Sequence, residues 1–130
     1  MSRTIVPPTV RDAMHRGLAT CPPSSTVPEI AAILAERRIH CVLVAGHGGR
    51  GWGIVSDLDL IRAVAARRND LTAAQLASME VVTVGPGEEL TEAARLMAEH
   101  EVTHLVVTNR RAQPIGVVST LDVARAIHDR

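Results

Sequence analysis

Gly53-Ile54-Val55-Ser56-Asp57-Leu58-Asp59-Leu60 returns as Gly116-Val117-Val118-Ser119-Thr120-Leu121-Asp122-Val123, 63 positions further along the chain. Each copy is a short apolar strand that runs through a Ser-x-x-Asp step into an amphipathic helical pattern. The recurrence extends beyond the motif and needs no gap from Leu18 and Val81 onward. Thr20 matches Thr83, Pro23 matches Pro86, Glu29 matches Glu92, Ala31 matches Ala94 and Glu36 matches Glu99. Val44, Val55, Arg62 and Ala63 each find the same residue at the same offset. Chance does not produce this, so the chain is an internal duplication of a unit of roughly 60 residues.

The order of elements follows from the patterns around that stretch. Thr9 to Met14 reads as one helical turn after Pro7-Pro8, and Leu18 to Cys21 as a brief extended piece. Thr26-x-x-Glu29 is a capping box, and Val27, Ile30, Ala31 and Leu34 continue it as an amphipathic helix ending near Arg38. Ile39 to Val44 is a strand, Gly46-His47-Gly48-Gly49-Arg50-Gly51 a hairpin loop, and Trp52 to Val55 the returning strand. Leu58, Ile61 and Val64 are expected on the inward face of the next helix, which ends at the polar cluster Arg67 to Asp70. The second unit repeats this, with Val81 to Val84 extended and Leu90, Ala93, Ala94 and Met97 on a helical face. Val102 to Val107 and Ile115 to Val118 are its strands, and Leu121, Ala124 and Ile127 are expected to face inward on the last helix. Each repeat is thus a β-α-β-β-α unit, with 1–68 the first and 69–130 the second. A single unit buries too little apolar surface to stand alone, so a pseudo-symmetric pair packed face to face is expected.

Bulk properties narrow the function. The chain has 130 residues, of which 46% are hydrophobic, with one Trp and no Phe or Tyr, so its core is aliphatic. Formal net charge is zero, which argues against a nucleic-acid or anionic-membrane binder. No apolar run reaches membrane length and no signal peptide opens the chain, so a cytoplasmic protein is expected. The two cysteines, Cys21 and Cys41, form no CxxC pair and read as reduced thiols.

With the duplicated Gly-(Ile/Val)-Val-Ser-x-x-Asp-(Leu/Val) in view, the chain resembles a tandem pair of cystathionine β-synthase (CBS) domains, a Bateman module. The resemblance covers nearly the whole chain and implies a mixed α/β (α+β) fold. It implies two clefts between the repeats that bind adenosine-containing ligands: AMP, ADP, ATP or S-adenosylmethionine. In such clefts Asp59 or Asp122 would accept hydrogen bonds from ribose hydroxyls, and Ser56, Ser119 and Thr120 would contact ribose or phosphate. Thr20 and Thr83 occupy positions that contact ligand in family members, and Ile54 and Val117 would flank the adenine. The chemistry is suited to this, because a carboxylate offers two acceptor oxygens to a vicinal diol and charge-assisted bonds are strong. Amides at the start of the following helix favour anions.

The chain also departs from the family pattern. Leu43 and Val106 stand where many members carry Pro. Where some nucleotide binders place a His-Arg pair, this chain has His40-Cys41 and Thr103-His104. His40 and His104 are then the one weak cation of each repeat, which suits a ligand with few charges. Arg62 and Arg125 follow the motif Asp by three positions and can pair with it.

Ser-x-x-Asp is equally an ordinary helix capping box, and the two roles can coexist. His100 and His104 are four apart but a helix end falls between them, and His15, His40, His47 and His128 show no ligand spacing, so neither a metal nor a required cofactor is expected. No nucleophile-base arrangement accompanies Ser56 or Ser119, so no catalytic residues and no enzyme activity are expected. The sequence therefore points to a homodimeric regulatory sensor read by a downstream protein partner. The alternative is a ligand-free dimeric interaction module.

Overall fold

The computed structural model describes residues 7–46, 51–77 and 81–129. They form a mixed α+β architecture of two compact units. One unit is Leu18–Val81, and the other combines Met1–Gly17 with Val82–Arg130.

In the Leu18–Val81 unit, β2 (Thr20–Cys21), β3 (Cys41–Ala45) and β4 (Trp52–Ser56) form a sheet in that order. The β2 and β3 strands run parallel, joined by α2 (Val27–Arg37), and β3 and β4 form an antiparallel hairpin. The loop residues 47–50 lie outside the described residues, but Gly46 and Gly51 flank them at φ 71° and 84°, and the Gly46 amide donates to the Gly51 carbonyl. Thr26 caps α2 as its sequence requires: the Glu29 amide donates to Thr26 Oγ1 at 3.3 Å. Val27, Ile30 and Leu34 on α2 bury against Val42, Val44 and Val55. α3 (Asp57–Ala65) and α4 (Ala73–Leu76) complete the unit, with Leu60, Ala73 and Ala77 in the same core.

The other unit follows the same plan at the same 63-residue offset. It contains β5 (Thr83–Val84), α5 (Leu90–His100), β6 (His104–Thr108), β7 (Pro114–Ser119) and α6 (Thr120–His128). Its sheet runs β1-β7-β6-β5, where β1 is His15–Arg16, and α1 (Val10–Ala13) packs beside it. Val10, Val84, Leu90, Ala93, Met97, Leu105, Val107 and Val118 make its core. Backbone detail repeats as well: α2 and α5 both end on a left-handed residue, Arg38 and Glu101, each at φ 54°.

Packing does not follow the repeat boundary at 68/69. The leading turn of each repeat sits on the body of the other. The Val10 and Arg11 amides donate to the Glu88 and Pro86 carbonyls, and the Ala73 and Ala74 amides donate to those of Ser25 and Pro23. The unpaired amides that begin each short helix find acceptors in the loop before α5 or α2.

Two expectations about helix faces are corrected. Leu58, Ile61 and Val64 are 51%, 58% and 49% exposed, and Leu121 and Ile127 are 52% and 68% exposed. Ala124 is exposed too. The inward residues are Leu60 and Ala63 on α3, and Val123 and Ala126 on α6. Both helices carry two apolar stripes, and period alone cannot say which one its own sheet takes.

Candidate functional site

Each Ser-x-x-Asp step forms the junction between a return strand and its helix. The Ser56 amide donates to Asp59 Oδ2 at 2.8 Å, and the Asp59 amide donates to Ser56 Oγ at 3.2 Å. The Ser119 amide donates to Asp122 Oδ2 at 2.7 Å, and the Asp122 amide to Ser119 Oγ at 3.3 Å. Both steps are therefore complete capping boxes, which satisfy orphan amides and use one oxygen of each carboxylate.

Strand register gathers the remaining candidates. Cross-strand partners share a sheet face, and alternate residues along a strand do too. Thr20 pairs with Leu43, which pairs with Ile54, so these three form one row across the sheet. Ser56, opposite Cys41, lies on the same face. That face is opposite the one carrying Val42, Val44 and Val55, which α2 covers. In the other unit Thr83, Val106 and Val117 form the matching row, with His104 opposite Ser119. The structure thus brings Thr20, Ile54, Ser56 and Asp59 together in one unit, and Thr83, His104, Val117, Ser119 and Asp122 in the other. Thr120 is exposed at the first position of α6, where its amide donates to the Thr103 carbonyl.

The two imidazoles are not equivalent. His40 precedes β3, and its Nδ1 lies 2.8 Å from Asp57 Oδ2, with both side chains largely exposed. His104 is part of β6, at the register position that Cys41 holds in the other unit. Cys41 itself is buried. Desolvation, helped by the negative charge of Asp57, pushes its thiol from the ordinary 9.0 up to about 12. Burial likewise raises the Cys21 thiol against a hydrogen bond from Ser25 that lowers it. Neither sulfur is a thiolate at neutral pH, so neither is an activated nucleophile.

The two carboxylates differ in a way their matched sequences do not show. Asp59 is half-buried, and its Oδ1 has no hydrogen bond among the described residues. Asp122 is 5% exposed, and its Oδ1 lies 2.8 Å from His15 Nε2. An ionised carboxylate can only accept, so the imidazole donates. His15 arrives on β1, whose pairing sets it beside Val117 and Arg16 beside Gly116. Nothing local in the sequence joins His15 to a residue 107 positions away. The pointer that existed was Thr9 and Thr72, which stand at the duplication offset and mark α1 and α4 as parts of the repeat.

Two concavities inside the unit that holds Asp122 leave that residue out. An apolar groove of about 150 Å³ is lined by Leu90, Ala94, Val123 and Ile127 with Pro7 and Pro8. A shallow one of about 260 Å³ joins Thr83 to Glu88 and Glu92, whose charge repels phosphate. Among the described residues no group of three or more His, Cys, Asp or Glu is placed to hold a metal ion. Among them, too, no helix is long and apolar enough to cross a membrane.

Comparison with known proteins agrees with this geometry. The CBS domain family profile matches residues 10–66 and again 73–129. The CBS domain-containing protein YhcV of Bacillus subtilis is 28% identical over 117 residues, covering 88% of this chain and 82% of that protein. A homoserine O-acetyltransferase of Methanohalophilus mahii is 29% identical over 112 residues, 86% of this chain, which spans only 23% of that enzyme. Among solved structures, the CBS domain protein PAE2072 from Pyrobaculum aerophilum, complexed with AMP, is 29% identical with a TM-score of 0.77, covering 88% of each chain. The CBS domain pair of protein MJ0100, in complex with 5′-methylthioadenosine and S-adenosyl-L-methionine, superposes with a TM-score of 0.85 at 20% identity. That superposition covers 95% of this chain and 98% of the other. Two profile matches at the duplication offset, each ending in a strand, a Ser-x-x-Asp cap and a helix, show that the chain belongs to the CBS domain family as a tandem pair.

Proposed function

We propose that the chain is a non-catalytic regulatory sensor, acting in the cytoplasm as a homodimer. Its ligand is an adenosine-containing small molecule: AMP, ADP, ATP or S-adenosylmethionine. The observation that carries this reading is the face shared by Thr20, Ile54 and Ser56, leading to an Asp59 carboxylate with one oxygen that takes no hydrogen bond among the described residues. Aliphatic side chains there, the partly exposed Leu43 beside the buried Ile54, pack an adenine ring while the carboxylate takes a ribose diol. The AMP complex of PAE2072 supports the ligand class. His40, shared with Asp57, offers little positive charge, which favours a ligand with few phosphates. Binding shifts the balance between states of the pair, and a protein partner reads that shift.

The test is a thermal-shift panel of AMP, ADP, ATP, S-adenosylmethionine and NAD. An adenosine-type ligand at 100 times its dissociation constant adds about 2.7 kcal/mol to folding stability. No shift with any compound removes the sensor reading. A second reading is then favoured, a ligand-free dimeric interaction module. The fully committed Asp122 carboxylate and the exposed stripes of α3 and α6 support it.

A further inference from the structure

The two Ser-x-x-Asp sites share one sequence pattern but not one environment. At Asp122, Oδ2 takes the Ser119 amide and hydroxyl, at 2.7 and 2.9 Å, while Oδ1 takes His15. The carboxylate is 5% exposed and both of its oxygens are engaged, so an incoming diol meets the His15 imidazole at the oxygen it would take. His15 is held in place by its backbone: β1 pairs antiparallel with β7, and the Gly17 amide donates to the Ile115 carbonyl at 3.0 Å. Gly116 lets the strand lie this close, since a Cβ there would stand 2.3 Å from the His15 carbonyl oxygen. At Asp59 the cap takes Oδ2, Oδ1 has no hydrogen bond among the described residues, and the side chain is half-buried. The residue at the duplication offset from His15 is Ser78, which carries no imidazole.

We infer that His15 is a built-in occupant of the second site: it holds the acceptor that a ribose needs, so each chain binds one adenosine-type ligand, at Asp59. This rests on the proposed function, which supplies the ligand class, and adds which carboxylate serves and how many molecules bind. The imidazole stands in for the diol by giving its N–H to the same oxygen. A ligand at Asp122 would first have to break that bond and turn the imidazole aside.

Isothermal titration of the full chain with AMP, and separately with S-adenosylmethionine, tests it. Wild type is expected to saturate at one ligand per chain. Asp59→Asn should weaken binding by about tenfold to a hundredfold, the cost of losing a charge-assisted acceptor. Asp122→Asn should leave affinity and stoichiometry unchanged. His15→Ala removes an exposed side chain, should fold normally by circular dichroism, and should raise the stoichiometry to two. The double variant His15→Ala/Asp59→Asn should then retain one ligand, at Asp122. Two ligands per wild-type chain, loss of binding in Asp122→Asn alone, or one ligand per folded His15→Ala chain would each overturn the inference while leaving the sensor reading standing. No heat or saturation with either compound in wild type and His15→Ala would remove both.

Discussion

Asp59 and Asp122 show how far a matched pair can diverge once a third residue reaches one of them. Their caps agree to within about a tenth of an ångström, so the local part of each site was legible in Ser-x-x-Asp. The rest was not, because His15 reaches Asp122 from a strand 107 residues upstream, and no local pattern encodes such a contact. Cys41 offers a cleaner test at this scale. The chain contains no Tyr and no Lys, so Cys21 and Cys41 are the side chains that titrate between about pH 8 and 11. Both thiols are raised by burial, so the native state keeps protons that the unfolded chain has lost. Stability is therefore fully present below pH 9 and falls as pH rises toward 12. The slope approaches about 1.4 kcal/mol per pH unit for each thiol involved. Urea unfolding from pH 8 to 11 should show this decline, and Cys41→Ala should flatten it. An unchanged slope in that variant would show that Cys41 is solvated.

Among elements, α2 was readable from its capping box and period and α5 from the same helical face one repeat later, while α2 and the strands of the two hairpins fall within a residue or two of expectation. The α4 helix was not read, because four residues give no period and no proline marks its start as Pro7-Pro8 marks α1. The inward stripe of α3 and α6 was misread because both stripes are apolar and only the sheet chooses between them. The β1 strand, two residues long, depends on Gly116 more than on its own sequence. Gly116→Ala would set a methyl 2.3 Å from the His15 carbonyl oxygen and 2.4 Å from Met14 Cε. The strand must then shift, at an expected cost of about 1–3 kcal/mol by urea denaturation. Wild-type stability in that variant would mean that β1 is held by something other than its fit against β7.

At the scale of the molecule, two helices present apolar residues to solvent at matching positions: Leu58, Ile61 and Val64 on α3, and Leu121 and Ile127 on α6. Covering what remains exposed of one such side chain is worth about 1–2 kcal/mol, enough for several together to contribute to holding two copies of the chain. Under the proposed homodimer, Ile61→Glu combined with Ile127→Glu should give a folded monomer by light scattering. Wild type and variant of the same mass would show that these stripes are not the contact. The exchange of leading turns has a consequence for biosynthesis. As the chain leaves the ribosome, the body holding β2 to β4 cannot close until Ala73 and Ala74 have emerged to meet Ser25 and Pro23. The turn at Val10 is made before either sheet yet must wait for Glu88, and His15 waits until Asp122 has been translated. The segment from Val10 to His15 thus precedes both sheets in synthesis and is among the last parts of the pair to settle.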